Sequence, residues 1–206
     1  MRKIIVLSFV TLDGVMQAPG GPTEDERGLF ERGGWAHFDH EAGLAMDEIY
    51  ERADAFLFGR RTYENFAGSW GAWPDPGDSP IWTALNVRPK YVASTRPFDP
   101  RWAPATVLSG DLAAAVRELK ARDGRELHVP GSGVLVRWLL DHSLVDEMTL
   151  FTFTVVVGKG TRLFPESGQD MALDLMGSRA TPSGVTIQVY RPAGRPQYGT
   201  AAPRSE

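Results

Sequence analysis

The stretch Leu57-Phe58-Gly59-Arg60-Arg61-Thr62-Tyr63-Glu64 ends an apolar run on a glycine and sets two arginines at the start of a helix-compatible segment. A helix N-terminus exposes backbone N–H groups, glycine admits close approach, and guanidinium groups supply planar donors. This spacing suits a phosphorylated ligand. The Thr62 hydroxyl adds a further donor or acceptor. The same residues also fit an ordinary strand-to-helix turn with exposed arginines. Three other stretches share the pattern of a strand ending in a polar or glycine-rich turn. They are Thr11-Leu12-Asp13-Gly14, Ser94-Thr95-Arg96 and Gly131-Ser132-Gly133-Val134.

The elements that must position these turns follow from periodicity. Lys3 to Val10 is Ile- and Val-rich and apolar on both faces, which places it centrally in a sheet covered on both sides. Residues 17–34 are rich in Gly and Pro and read as a binding loop or lid. Glu41 to Arg52 has helical spacing, with Leu44 and Ile49, and with them Ala45 and Met46, expected to face inward. Gly68 to Trp82 reads as a packed, tryptophan-rich loop. Lys90–Ser94, Ala105–Leu108 and Glu126–Val129 read as short strands. Helices are expected over 112–122 and 134–141, the first capped from Ser109-Gly110-Asp111. Val145 to Val157 reads as one long strand, and two late strands near 171–179 and 185–190 as a closing antiparallel pair.

Strands alternating with helices, then antiparallel strands, predict an α/β fold: a mostly parallel central sheet, an antiparallel C-terminal edge, and helices on both faces. Ligands of such sheets sit at the carboxyl ends of the strands, where all four turns fall. One domain over 1–191 and a loose polar tail over 192–206 are expected.

Composition narrows the function. The 206 residues carry a formal charge of −4, with 42% hydrophobic and 23% charged residues, which argues against a nucleic-acid binder. With no cysteine, disulfides, thiol nucleophiles and thiolate metal sites are excluded. No apolar run is long enough for a membrane span and no signal peptide is evident, so a cytoplasmic setting is expected. His37 and His40 stand near Asp39 and Glu41 without a clear third ligand, so no metal is expected. His128, among apolar strand residues, reads as a core residue, and His142 as a helix end.

The order of these signatures resembles the dihydrofolate-reductase-like fold. Within it, the chain is most similar to the reductase domain at the C-terminus of the bifunctional riboflavin-biosynthesis deaminase/reductase, and to its stand-alone bacterial relatives. The residues that carry the resemblance are Ser8-Phe9-Val10-Thr11-Leu12-Asp13-Gly14, Gly59 to Glu64, and Val129-Pro130-Gly131-Ser132-Gly133. The last group is Leu144-Val145-Asp146-Glu147 leading to Gly158-Lys159-Gly160 and Leu163-Phe164. Together they span residues 2–191.

The resemblance implies an NADPH-dependent reductase of a small heterocycle, such as 5-amino-6-(5-phosphoribosylamino)uracil or a pterin, assembled as a homodimer. It also implies a place for each turn. Gly59, Arg60, Arg61 and Thr62 match the turn that takes phosphates of the adenosine half. Ser94, Thr95 and Arg96 match the strand end that reads the 2′-phosphate and adenine. Gly131, Ser132, Gly133 and Val134 match the helix start under the pyrophosphate, and Thr11, Asp13 and Gly14 the loop beside the nicotinamide. Dihydrofolate reductases carry an acid in the helix before the Gly-Arg turn; that position falls at Gly43, and Asp47 lies one helical turn later on the same face. Asp47 is therefore the first candidate for an acid or substrate anchor, and Asp13 the second, for positioning. Asp47 also fits an exposed helix carboxylate, and Asp13 a plain turn former. A protein that keeps the fold and binds a ligand without turnover is the alternative function.

Overall fold

Six parallel strands lie side by side in this computed structural model, which describes residues 1–199. β1 (Lys3–Thr11), β2 (Ala53–Gly59), β3 (Lys90–Ala93), β4 (Ala105–Leu108), β5 (Glu126–Pro130) and β6 (Glu147–Phe153) are joined by an antiparallel edge of β7 (Leu173–Ala180) and β8 (Thr186–Pro192). The sheet order is β4-β3-β2-β5-β1-β6-β8-β7, as the expected mostly parallel α/β architecture requires. β1 is central, paired in parallel with both β5 and β6. Its residues are buried on both faces because helices cover both.

One face carries α1 (His40–Arg52), α2 (Arg60–Gly68) and α3 (Pro80–Val87), packed on Leu7, Phe56, Phe58, Val92 and Phe151. The other carries α4 (Leu112–Ala121) and α5 (Gly133–Asp141), packed on Ile4, Val6, Leu57 and Leu127. α1 buries Ala42, Ala45, Met46, Ile49 and Tyr50, a stripe at i, i+3, i+4 spacing. Leu44, expected to face inward, is instead 48% exposed. It falls outside the arc that Ala42 and Ile49 set against the sheet.

Two further expectations change. The segment read as a loop to Trp82 contains the start of α3: Ser79 caps the helix by accepting from Trp82 N–H, and Pro80 sits at its first turn. The strand expected over 145–157 is shorter, because its ends bond elsewhere. Val155 N–H turns back to the Phe153 carbonyl, and the Val157 and Gly158 N–H groups go to the Asp13 carboxylate. At the other end, Asp146 accepts from Ile4 N–H at 2.8 Å.

The expected tail is tied down where it is described. Ala172 N–H donates to the Gly194 carbonyl, Ala193 N–H to the Ala172 carbonyl, and Tyr198 OH to Asp170 at 2.9 Å. Residues 200–206 of that expectation lie outside the described residues. Among the described residues, no helix is long and apolar enough to cross a membrane.

Candidate active site

Because β1 to β6 run parallel, Thr11, Gly59, Ala93 and Pro130 all end at one rim of the sheet. The four candidate turns follow β3, β2, β5 and β1, which are consecutive in the sheet. Three inter-strand steps span roughly 14 Å, so the turns line one elongated track.

The two central turns are joined directly. Gly131 and Ser132 both have positive φ, +55° and +60°, which swings the chain from β5 into α5. Ser132 stands at the N-cap of α5, yet its side chain does not cap its own helix. Its Oγ accepts from the backbone N–H of Gly59 at 3.0 Å instead. Thr62 approaches from the α2 side: a Cβ on Gly131 would lie 3.7 Å from its methyl group. α1, α3 and α4 are capped by Asp39, Ser79 and Asp111, whereas α2 and α5 have no side-chain cap. Two helix N-termini at adjacent strand ends, without side-chain caps, form an anion-binding arrangement. This is the observation on which the fit of a dinucleotide phosphate rests.

The arginines differ. Arg60 donates to Glu64 at 2.8 Å, and its guanidinium lies 5.2 Å from the Phe98 ring centroid. Arg61 is exposed and near enough to Asp25, in the loop after β1, for their charges to interact. Ser94 closes a tight turn: its Oγ accepts from Arg96 N–H and donates to the Arg96 carbonyl, leaving Thr95 and Arg96 exposed at the rim. Val134, in the first turn of α5, is 75% exposed.

The β1 turn is brought to the same place by Met16, whose Sδ lies 2.6 Å from where a Cβ on Gly133 would stand. Gly14 has φ +79°, and Thr11 Oγ1 accepts from Val15 N–H while donating to Asp13 Oδ1 at 2.6 Å. Asp13 also accepts from the N–H groups of Val157 and Gly158, and lies 3.7 Å from the Arg162 guanidinium. The Thr11 hydroxyl first, and then these backbone donors, hold its carboxyl below the usual carboxylate range. Its geometry is that of a clamp between the β1 turn and the loop after β6.

Asp47 lies on α1 about 10 Å along the helix from its start. Burial first, then the nearby carboxylates of Glu51 and Asp78, push its carboxyl up from the ordinary value. At Gly43, one turn nearer the rim, a Cβ would meet nothing within 4 Å. Among the described residues, no group of three His, Asp or Glu side chains is placed to hold a metal.

Sequence reasoning missed an aromatic wall on the α1 side of the same rim. Phe9 packs edge-on against Phe38 at 5.0 Å and Phe151 at 5.5 Å, and Phe38 against Phe153 at 5.2 Å. Phe38 remains 41% exposed and Phe9 is half-buried. The alternating Phe151 and Phe153 were the available signal, since period-two aromatics on a strand share one face. A wall of this kind can stack a flat ring.

The profile of the RibD C-terminal domain family matches residues 2–187. Three solved structures share the fold. A putative riboflavin biosynthesis protein from Shewanella sp. PV-4 is 23% identical, with TM-score 0.70, covering 92% of this chain and 98% of that one. A diaminohydroxyphosphoribosylaminopyrimidine deaminase/5-amino-6-(5-phosphoribosylamino)uracil reductase from Thermotoga maritima is 16% identical, with TM-score 0.62, covering 93% of this chain and 57% of that one. A dihydrofolate reductase from Enterococcus faecalis, complexed with NADP(H), is 12% identical, with TM-score 0.58, covering 93% and 96%.

Proposed function

The chain belongs to the RibD C-terminal domain family, and from that premise we propose that it is a cytoplasmic, NADPH-dependent reductase of a small nitrogen heterocycle. The observation that carries the reading is the junction of Gly59 and Ser132, which sets two helix N-termini without side-chain caps side by side at the strand ends. Gly59 to Thr62 and Gly131 to Val134 would hold the cofactor phosphates. Exposed Arg96, with Ser94 and Thr95, would take the 2′-phosphate, and Arg61 would add charge at the neighbouring turn. Thr11, Asp13 and Gly14 would border the reactive ring. Asp13 acts there by fixing the loop, since its oxygens already accept from Thr11, Val157 and Gly158.

When bound, NADPH supplies a hydride for a C=N or C=O group. The chain's part is orientation, water exclusion and a proton. Phe9 and Phe38 offer a face for the substrate ring. Asp47, its carboxyl raised by burial and by Glu51 and Asp78, is the acid or anchor. The Thermotoga neighbour's reductase substrate, 5-amino-6-(5-phosphoribosylamino)uracil, is the first compound to try, and a pterin the second.

Fluorescence titration with NADPH and NADH tests the cofactor half. NADPH should bind at sub-millimolar concentration and NADH about tenfold more weakly, a difference of about 1.4 kcal/mol that Arg96→Ala should erase. Failure of both nucleotides to bind would remove the reductase reading. Binding without oxidation by either candidate substrate would leave a ligand-binding protein on this fold.

A further inference from the structure

Away from the strand-end turns, a cavity of about 300 Å³ lies between the loop after β1 and the loop after β6. This is the low end of ligand-pocket size. None of its lining residues belongs to the four candidate turns. Its floor is Phe30, 1% exposed, and Gln17, 5% exposed. Gln17 fixes both walls. Its Nε2 donates to the Asp25 and Arg27 carbonyls, each at 3.0 Å. Its Oε1 accepts from the Thr161 N–H at 2.9 Å and from the Thr161 hydroxyl at 3.1 Å. Gly160 lies so close to the Phe30 ring that a Cβ would stand 2.7 Å from it. The shape of the cavity is therefore set by buried contacts.

Its lining is rich in donors. Lys159 and Arg27 line it, and no lining residue is acidic. Lys159 Nζ donates to the Leu29 carbonyl at 2.8 Å and, among the described residues, pairs with no carboxylate, so its other N–H donors are free. Arg27 is engaged by Asp25 through Nε, at 2.6 Å, and through Nη2, which leaves Nη1. The other carboxylates of this loop, Glu24, Glu26 and Glu31, do not line the cavity, and Glu24 accepts from the Gly20 N–H. Among the described residues, the backbone N–H groups of Gly28, Lys159 and Gly160 donate to no acceptor. Gly28 and Gly160 have φ +66° and +119°, and residues of this kind curl successive N–H groups into anion-binding concavities. The chain as a whole, at a net charge of −4, offers anions no general attraction, so the preference is local.

We propose that this cavity is a second anion site, for a phosphate-sized oxyanion, free or carried on a larger ligand, that bridges the loop after β1 to the loop after β6. Lys159 and Arg27 supply charge-assisted hydrogen bonds, and Gln17 holds the two walls at the spacing the ligand needs. The site stands independently of the reductase reading, since it shares no residue with the turns that carry that reading.

Calorimetric titration of the full chain with inorganic phosphate tests this, at low ionic strength because salt screens exposed charges. Binding should be saturable, and Lys159→Met, which removes the charge and keeps an unbranched chain, should weaken it at least about tenfold. Matching circular dichroism shows that the variant is folded. A second measurement uses the unaltered chain. Trypsin cuts after both Arg27 and Lys159, so bound phosphate should slow those two cleavages severalfold without slowing cleavage elsewhere. Phenyl phosphate separates the two sources: tighter binding than inorganic phosphate marks a phosphoryl group on a larger ligand, and weaker binding a free anion. Saturating NADPH should leave phosphate binding in place. A parent without saturable binding, an unchanged Kd in Lys159→Met, absent tryptic protection, or loss of phosphate binding on adding NADPH would each overturn the site. Failure of NADPH itself to bind would count against the reductase reading and leave this site to the phosphate titration and the protection assay.

Discussion

The Oγ of Ser132 accepts a hydrogen bond from the backbone N–H of Gly59 at 3.0 Å, joining turns 73 residues apart in sequence. The bond commits the side chain that would otherwise cap α5, so that helix keeps its N-terminal donors for a ligand. Ser132→Ala should cost about 1 kcal/mol of stability, the ordinary loss for one hydrogen bond. It should cost more in NADPH affinity, because the two turns proposed to hold the phosphates lose their register. Titration and urea unfolding of one preparation separate the effects: a several-fold weaker Kd with a small stability change is expected, and an unchanged Kd would place the phosphates elsewhere.

Asp13 links the β1 turn to the loop after β6 through Thr11, Val157 and Gly158. Its carboxyl is held low in the folded chain, chiefly by the Thr11 hydroxyl. The stabilisation it gives is therefore present above the ordinary value of 3.8 and lost as pH falls through the lower folded value. Asp13→Ala should free the 154–162 segment, raising its protease sensitivity at neutral pH, and should flatten the acid limb of the stability profile. Limited proteolysis and acid unfolding measure the two consequences. An intact loop in the variant would show that other contacts suffice to hold it.

Much of this arrangement was legible in the sequence, and the exceptions have physical causes. β1 announced itself because a strand buried on both faces reads as a near-continuous apolar run. α3 was hidden because Trp82 reads together with Trp70 and Trp73 as one packed loop, although Ser79-Pro80 is an N-terminal helix signal. Leu44 points outward because the sheet, not the helix, decides which arc is buried. The Gly59–Ser132 bond depends on β5 lying beside β2, and the clamp at Asp13 on β6 lying beside β1, and no local pattern reports that order. Lys90 was least legible of all: a lysine at a strand start reads as solvent-facing, yet it is fully buried.

Lys90 donates to the Leu85 carbonyl at 2.7 Å and to the Arg88 carbonyl at 3.2 Å, at the C-terminal end of α3, with Nζ 4.5 Å from the Trp102 ring. Burial pushes its ammonium down from 10.5 to about 8. Folding therefore works against the charge at pH below 8, and this cost is lost as pH rises from 8 through 10.5, above which both states are neutral. Relative to Lys90→Met, the parent should gain up to about 3 kcal/mol across that window. Urea unfolding of both proteins at a series of pH values reads the difference directly, since groups common to both cancel. A constant difference across the window would mean that the lysine stays charged in the folded core.

Asp47, the proposed acid, can be tested on stability and activity together. Burial and the carboxylates of Glu51 and Asp78 raise its carboxyl, so its ionised form destabilises the fold at neutral pH. A group with a raised folded value contributes most at low pH, and that contribution is lost as pH rises from 3.8 through the folded value. Asp47→Asn removes the charge at little change in size. It should raise the unfolding temperature at neutral pH, modestly, while lowering kcat by tenfold or more, on the order of what one positioned acid supplies. The parent's rate should fall as pH rises through the Asp47 value, and the Asn variant should lack that limb. Stability gained together with activity lost is the mark of a residue kept for function. A stabilised variant with unchanged turnover and an unchanged pH profile would retire Asp47 as the acid and leave the open space beside Gly43 as the place to look for substrate contacts.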